Sequence, residues 1–221
     1  MSRAGPDRTV VGGWGPILGD EGSGAWIGQQ AARAAIAGLE GWAASTAILP
    51  IIRREWRLKE DWDMVRIVYR SPSPFRLLGS LTRAVAEAAR ENDAVAMGIL
   101  REAGRLMAVQ TICLLNRFYI APADYRLVCG GGAWKTHPLM FETFVGETRK
   151  LFPDLFIRRP CFEFVMAGPV REMLARVGSG IPGGETVRAR PSAGIDAEVA
   201  TAAEARLAEL FPAYVIREDF G

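Results

Sequence analysis

Apolar residues recur at helical spacing over most of the first 118 positions of this chain. Residues 24–39 carry apolar side chains three and four positions apart, directly after Ser23, a residue type that often caps helix N-termini. From 47 to 118 the pattern is almost wholly helical, with a break at the Ser-Pro-Ser-Pro run at 71–74. These patterns predict a first helix that begins near Ser23 and a large helical segment after it.

Within this helical segment the breaks in periodicity separate four pieces. The predicted helices are a short one around 51–58, another at 62–69, one of about four turns from Phe75 to Arg90, and a longest one that is capped by Asn92 or Asp93 and reaches about Arg117. On the longest helix, the residues at core spacing are expected to be buried: Val95, Ile99, Leu106, Val109, Ile112 and Leu115.

Strand-like patterns flank the helical segment. The sequence RTVVGG at 8–13 reads as a short strand that ends at paired glycines, and YRLVCGGGAW at 125–134 reads as a buried strand that runs into three glycines. A helix is expected from Pro138 to about Leu151, then a strand at LFIRRP (155–160), and then a helix that begins at Pro169. This order of elements predicts a parallel β–α–β unit and therefore an α/β fold.

The composition changes at 178, which divides the chain. Residues 178–193 are rich in Gly and Pro and read as a linker. The predicted organisation is therefore a main domain at 1–177, with the helical insertion at about 47–118, and a tail at 194–221 that contains an amphipathic helix.

Bulk properties exclude several classes of protein. The chain has 221 residues, 49% apolar and 24% charged, with a net charge of +2, which is ordinary for a globular domain and does not favour a nucleic-acid or membrane partner. Three scattered cysteines and one histidine predict neither a disulfide framework nor a metal site, and Cys113 and Cys129 are expected to pack as small apolar side chains. No signal peptide or bilayer-spanning stretch is visible, so we expect a cytoplasmic protein.

Two glycine-rich turns carry the candidate chemistry. In GGWGPILGDEGSG at 12–24, glycines flank Trp14, and Asp20 and Glu21 precede the first helix. A carboxylate there is suited to accept hydrogen bonds from vicinal hydroxyls while an aromatic face covers a sugar ring; alternatively, the acids only cap the helix. The three glycines at 130–132 either expose bare backbone to a ligand at a helix N-terminus or form a tight strand–helix connection.

The first turn also carries a resemblance to a known family. GGWGPILGDEGSGAWIGQQA (12–31) resembles the signature segment of N-acetylglucosamine kinases and the related BadF/BadG/BcrA/BcrD-type ATPases of the actin/hexokinase superfold. The similarity extends through VYRSPSPFRLLGSLTRAVAEAA (68–89) and VCGGGAWKTHPLMFETF (128–144), and covers about 8–176. It implies the C-terminal lobe of an actin-like ATPase, an RNase H-like α/β fold with a large helical insertion and an incomplete sheet.

The resemblance also implies roles for individual residues, with Asp20 binding a sugar hydroxyl. The amino-sugar contacts that it implies are Gly13, Trp14, Gly15, Pro16, Ile17 and Asp20. Those that it implies for the nucleotide, against its adenosine, are Leu78, Gly131 and Gly132. The cofactors that the family implies are ATP and Mg²⁺, and no residue of this chain is assigned a catalytic role.

In such a family the reaction is ATP-dependent phosphorylation of an amino sugar such as N-acetylglucosamine. Family members have two lobes, and the aspartate that serves as general base and the phosphate loops lie upstream of the segment that this chain resembles, so we expect the chain to be inactive by itself.

The alternative is a non-catalytic binding or assembly module that works as a homodimer or with a separately encoded N-terminal lobe. A third class, the activators of 2-hydroxyacyl-CoA dehydratases, is disfavoured because it needs cysteines that bridge an iron–sulfur cluster.

Overall fold

The computed structural model describes residues 10–117 and 126–159. The linker, the helix at Pro169 and the tail that the sequence predicts lie outside the described residues, and the division into domain, linker and tail stays a prediction. The chain divides into two compact units, whose described residues are 10–117, 126–127 and 132–157 for the larger unit and 128–131 and 158–159 for the smaller one.

The described residues form seven α-helices and two short strands. In chain order the elements are α1 (Gly24–Leu39), α2 (Ile48–Trp56), α3 (Asp63–Tyr69), α4 (Pro74–Ser80), α5 (Thr82–Arg90), α6 (Ala94–Leu115), β1 (Arg126–Val128), a 3-10 helix (Gly132–Lys135), α7 (Pro138–Arg149) and β2 (Phe156–Arg158). β1 and β2 are hydrogen-bonded neighbours with α7 between them in the chain, which is the strand–helix–strand order that the sequence predicts.

Two helix starts confirm their predictions. Ser23 caps α1, because its Oγ accepts a hydrogen bond from the Trp26 amide at 3.2 Å. Asp93 caps α6, because its Oδ1 accepts from the Ala96 amide at 2.8 Å. The same Asp93 carboxylate also accepts from the Ala47 amide at 2.7 Å, so one side chain fixes the start of α6 and the chain that enters α2.

Two predicted elements differ in the structure. Residues 10–13, the described part of the predicted strand 8–13, are not in a strand, because Gly12 and Gly13 have φ angles of 75° and 65°, in a region that interrupts extended backbone. The single helix predicted from Phe75 to Arg90 is two helices, α4 and α5. The Thr82 hydroxyl donates to the Gly79 carbonyl at 2.8 Å, and such a side-chain bond competes with the regular helical ladder at this junction.

The buried face of α6 consists largely of small residues; of the predicted large ones, Ile99 and Leu115 are buried, whereas Val95, Leu106 and Ile112 are only half-buried. Val109 is 49% exposed, and Cys113 is exposed rather than packed. The reason is close helix packing, since a methyl group added at Gly104 would lie 2.3 Å from the Met140 carbonyl oxygen on α7. The residues that α6 buries are Ala96, Ile99, Leu100, Ala103, Gly104, Ala108 and Leu115.

Close helix packing at a glycine also brings α1 against α4. A methyl group at Gly28 would lie 1.8 Å from the Leu78 carbonyl oxygen, so these two backbones touch. The Thr82 hydroxyl lies 3.2 Å from the Gly24 carbonyl oxygen as well, at the beginning of α1. The start of α1, and with it the glycine-rich turn before it, is therefore held firmly by the helices that follow.

Two further sequence predictions can be compared with the structure. Cys129 is buried as predicted, and burial raises the pKa of its thiol to about 12, so this thiol remains protonated at neutral pH. No helix in residues 10–117 or 126–159 has the length and apolar character needed to cross a bilayer.

Candidate functional site

The segment from Gly12 to Ser23, here called the glycine–tryptophan loop, is a compact turn closed by its own backbone. The Gly19 amide donates to the Gly15 carbonyl at 2.8 Å, and the Ser23 amide donates to the Asp20 carbonyl at 3.0 Å. Gly15 has a φ of 87°, and a methyl group added there would meet no atom of residues 10–117 or 126–159 within 4 Å. The loop therefore needs glycine at this position for its backbone angle, while the space above it is open.

Asp20 lies in this loop with a constrained backbone and one engaged oxygen. Its φ is 62°, a left-handed conformation that few residues other than glycine, asparagine and aspartate adopt. Its Oδ1 accepts a hydrogen bond from the Gly15 amide at 3.1 Å. Within the described part of the chain, Oδ2 has no protein partner, so this carboxylate has an acceptor available for a ligand.

Helix α6 supports the loop from below at two of its glycines. A methyl group at Gly12 would lie 2.4 Å from Gln110 Oε1, and one at Gly22 would lie 2.6 Å from Met107 Cγ. Gln110 Nε2 also donates to Glu21 Oε2 at 3.3 Å. The sequence pattern does not identify these supporting residues: Met107 and Gln110 are spaced to share one helix face, but their spacing alone does not say what that face contacts.

All six residues predicted to bind the sugar lie in this one loop. Trp14, Ile17 and Leu18 are 65%, 79% and 77% exposed, so the loop presents large apolar side chains to its surroundings. Pro16 is linked to α1, since Gln29 Nε2 lies 3.5 Å from the Pro16 carbonyl oxygen. The loop thus brings all six residues together in one compact, hydrogen-bonded turn.

A cavity of about 540 Å³ adjoins the loop. Its walls come from α1, α3 and α4 with Trp56 of α2, and they include Pro16 and Ile17 from the loop and Leu78 from α4. Most of the lining is apolar and aromatic, with Gln29 and Arg33 as polar groups. Two residues predicted for the sugar and one predicted for the nucleotide thus line the same cavity, whereas Gly131 and Gly132 are not among its described walls.

The second glycine turn is open. Gly131 has a φ of 117°, and among the described residues no atom lies within 4 Å of a methyl group added at Gly131 or Gly132. The turn leads through the 3-10 helix into α7, whose first turn is capped by His137, with Nδ1 accepting from the Leu139 amide at 3.2 Å. Burial and the nearby Arg90 lower the pKa of His137, which keeps the imidazole in the neutral form that can accept this bond.

The residues present fit a nucleotide better than they fit a metal ion. Bare backbone with free space at Gly132 is suited to contact with a flat base or a ribose, which is the contact that the resemblance implies. Among residues 10–117 and 126–159, no group of three or more His, Cys, Asp or Glu side chains is placed to hold a metal ion. We therefore assign no residue of this part of the chain to Mg²⁺.

The chain is similar to a curated kinase and to a solved structure of similar description. The chain is 31% identical over 133 residues to the N-acetylmuramic acid/N-acetylglucosamine kinase of Clostridium acetobutylicum, a match that covers 60% of this chain and 44% of that kinase. A crystal structure described as an N-acetylglucosamine kinase of Chromobacterium violaceum matches with a TM-score of 0.49 and 25% identity, over 66% of this chain and 46% of the other. The chain thus matches less than half the length of either protein.

A family model covers a larger share of the chain. The model of the BadF/BadG/BcrA/BcrD ATPase family matches residues 2–149, which include both glycine turns and all of the described helices. Because this match spans 148 of the 221 residues, the chain belongs to the BadF/BadG/BcrA/BcrD ATPase family, whose fold is that of the actin-like α/β ATPases.

Proposed function

We propose that the glycine–tryptophan loop binds an amino sugar such as N-acetylglucosamine, and that this chain provides the sugar-binding half of an ATP-dependent sugar phosphorylation. The observation that carries the proposal is the backbone conformation and hydrogen bonding of Asp20. Its backbone is held in a left-handed conformation, one carboxylate oxygen is fixed by the Gly15 amide, and the other is available to a hydroxyl group. An acceptor fixed in this way binds without first having to be ordered.

Trp14 supplies the second half of the proposed contact. Its indole is largely exposed at the surface of the loop, where it can cover the apolar face of a sugar ring while Asp20 accepts from a hydroxyl on the ring edge. The backbone of Gly13, Gly15, Pro16 and Ile17 completes the proposed site. The matched kinase of Clostridium acetobutylicum is described as acting on amino sugars, which supports this class of ligand.

ATP is the proposed second substrate, with Leu78, Gly131 and Gly132 as the proposed contacts to adenosine. ATP with Mg²⁺ supplies the phosphoryl group in the family's reaction, and catalysis of such a transfer depends mainly on positioning and on charge stabilisation. We assign proton abstraction to none of the described residues. We therefore propose that the 221-residue chain binds sugar without phosphorylating it.

Tryptophan fluorescence tests the sugar proposal directly. N-acetylglucosamine, titrated to tens of millimolar, should change the emission of the intact chain, with a dissociation constant of about 1 mM or weaker. Trp14→Phe should abolish the change, whereas Trp42→Phe should preserve it, because Trp42 is also exposed but lies outside the loop. A chain whose emission does not respond, although Trp14→Phe folds normally, would contradict the proposal.

An ADP-release assay tests the second part of the proposal. With N-acetylglucosamine, ATP and Mg²⁺ we expect no turnover above the blank. Turnover that is well above the blank and is lost in Asp20→Ala would show that the chain carries the complete chemistry, and would overturn this part of the proposal while supporting the sugar site.

One observation favours a second candidate function, that of an assembly module which binds another lobe or another copy of the chain. Ile17 and Leu18 are among the most exposed large apolar side chains in the described part of the molecule, and exposed apolar surface favours association. Sedimentation over a range of concentrations distinguishes the two functions. Self-association that is lost in Ile17→Ser with Leu18→Ser, together with no response to sugar, would favour the assembly role.

A further inference from the structure

Helix α6 contacts the glycine–tryptophan loop at both of its ends through one side chain. The amide of Gln110 has its Oε1 beside Gly12, where an added methyl group would lie 2.4 Å away. Its Nε2 lies 3.3 Å from Glu21 Oε2 and 3.5 Å from the Glu21 carbonyl oxygen. One side chain, 89 positions away from Glu21 in the chain, therefore lies against the beginning of the loop and is hydrogen-bonded to its end.

Glu21 is turned toward the loop's tryptophan rather than away from it. The point at which a Gly19 side chain would begin lies 3.2 Å from Trp14 Cβ and 3.7 Å from Glu21 Oε2. The carboxylate and the tryptophan thus lie on the same side of the turn at Gly19, and any side chain at position 19 would stand between them. A carboxylate close to the base of an exposed tryptophan side chain is an arrangement suited to a sugar, because the sugar ring has both hydroxyls and an apolar face.

We propose that Glu21 is a second hydroxyl acceptor of the sugar site and that Gln110 is the positioning residue that holds it there. The proposal rests on the proposed sugar-binding function and extends it: two carboxylates, Asp20 and Glu21, are both fixed by hydrogen bonds within the protein, so the site selects ligands that carry more than one free hydroxyl. Glutamine is suited to this role because the Nε2 donor neutralises no charge on Glu21 and leaves the carboxylate an effective acceptor.

Four variants of the intact chain separate positioning from simple structural support. Gln110→Leu keeps the approximate size of the side chain and removes the donor, while Gln110→Asn keeps the amide but shortens its reach. Glu21→Gln removes the charge and can still pair with Gln110. The exchanged pair, Gln110→Glu with Glu21→Gln, rebuilds a carboxylate–amide hydrogen bond with the charge on the helix. Val109→Ala is the matched control, since Val109 is the neighbouring residue on α6 and is exposed.

Three measurements are made on each variant: affinity for N-acetylglucosamine by Trp14 fluorescence, the thermal midpoint, and hydrogen exchange of the amides from Gly12 to Gly22. Gln110→Leu and Gln110→Asn should weaken sugar binding about tenfold, the scale of one hydrogen bond to a charged group, and accelerate exchange in the loop with little change in the thermal midpoint. Glu21→Gln should weaken binding while exchange stays slow. The exchanged pair should restore slow exchange without restoring affinity.

The outcomes that overturn the proposal are distinct from failure of the sugar assignment. If Gln110→Leu and Gln110→Asn match Val109→Ala in both affinity and loop exchange, Gln110 is not a positioning residue. If Glu21→Gln binds sugar as tightly as the unchanged chain, Glu21 is not an acceptor. If the unchanged chain does not respond to sugar, both the proposed sugar-binding function and the role of Glu21 as an acceptor fail. The hydrogen-exchange data then still decide whether Gln110 orders the loop.

Discussion

The two glycine-rich turns of this protein look alike in sequence and differ in what surrounds them. In the turn from Gly12 to Gly22, a methyl group at either end would collide with α6, and Asp20 fixes the backbone between them. In the turn at Gly131 and Gly132, an added methyl group would meet no atom of the described residues within 4 Å. At Gly12 and Gly22 packing as well as a positive φ requires glycine, whereas at Gly132 the described surroundings leave the space to a ligand.

This difference shows that glycine content alone does not identify a binding surface. Glycine permits positive φ, close packing and close approach of a ligand, and these three causes have different consequences for mutation. A substitution at a crowded glycine should destabilise the fold, while one at an open glycine without a positive φ should leave stability unchanged and affect only binding. Four predictions follow this comparison from the largest expected effect to the smallest.

The largest effect is expected for Gly22→Ala. Its φ is 79°, and the added methyl group would lie 2.6 Å from Met107 Cγ and 2.8 Å from the Ala103 carbonyl oxygen. Backbone strain and overpacking together should lower the free energy of unfolding by about 3 kcal/mol. Urea unfolding measures the loss. Gly98→Ala on α6, where nothing lies within 4 Å, is the control and should stabilise the helix; equal effects at the two positions would contradict the role of crowding.

An intermediate effect is expected for Asp20→Ala. The substitution removes the acceptor of the Gly15 amide and leaves alanine at a φ of 62°, which should cost about 1–2 kcal/mol. Asp20→Asn keeps an acceptor and tolerates this backbone conformation, so its unfolding free energy should stay close to that of the unchanged chain. If the two variants are equally destabilised, the Gly15–Asp20 bond does not stabilise the loop.

A smaller effect on stability, which depends on pH, is expected to distinguish α1 and α7, the helices that follow the two turns. Ser23 caps α1 with a group that does not titrate, whereas His137 caps α7 as a neutral imidazole whose pKa is lowered by burial and by Arg90. A lowered folded pKa means that the stabilisation is present above the unfolded value, about 6.5, and is lost as the pH falls through the folded value.

The test compares His137→Asn with the unchanged chain between pH 8 and pH 5. Asparagine also caps helices but does not titrate, so the unchanged chain should lose stability relative to this variant on acidification, by less than about 1 kcal/mol. Thermal midpoints across the range measure the difference. Ser23→Ala should lower stability about equally at both pH values, and a parallel pH dependence of the unchanged chain and His137→Asn would refute the capping role of the neutral imidazole.

The smallest effect on stability is expected for Gly132→Ala. The added methyl group meets no atom of the described protein, so the free energy of unfolding should change by no more than about 0.5 kcal/mol. If adenosine lies against this glycine as we propose, the same variant should weaken binding of an adenine nucleotide, measured by calorimetry. A large loss of stability would show instead that the second turn is crowded like the first.

Local signals in the sequence were sufficient for the starts of helices and for the loop itself. The sequence predicts Ser23 as the cap of α1 and Asn92 or Asp93 as the cap of α6, because a capping side chain acts within three residues of its own position; the structure confirms Ser23 and selects Asp93. The six residues implied for the sugar fall in one loop because they are neighbours in sequence. Family membership likewise follows from an ordered string of residues, which the family model matches over 2–149.

Tertiary packing decided what the sequence left open. The sequence pattern predicts that Val109 faces the core. In the structure α6 packs closely on α7 at Gly104, and the face of α6 that is buried is the one that carries its small residues. Gln110 is hydrogen-bonded to Glu21 although the two lie 89 positions apart in the chain, and the sequence around neither residue predicts that contact. Periodicity and capping are local properties that a short stretch of sequence encodes, whereas crowding at a glycine or support of a loop depends on atoms brought together only when the helices pack.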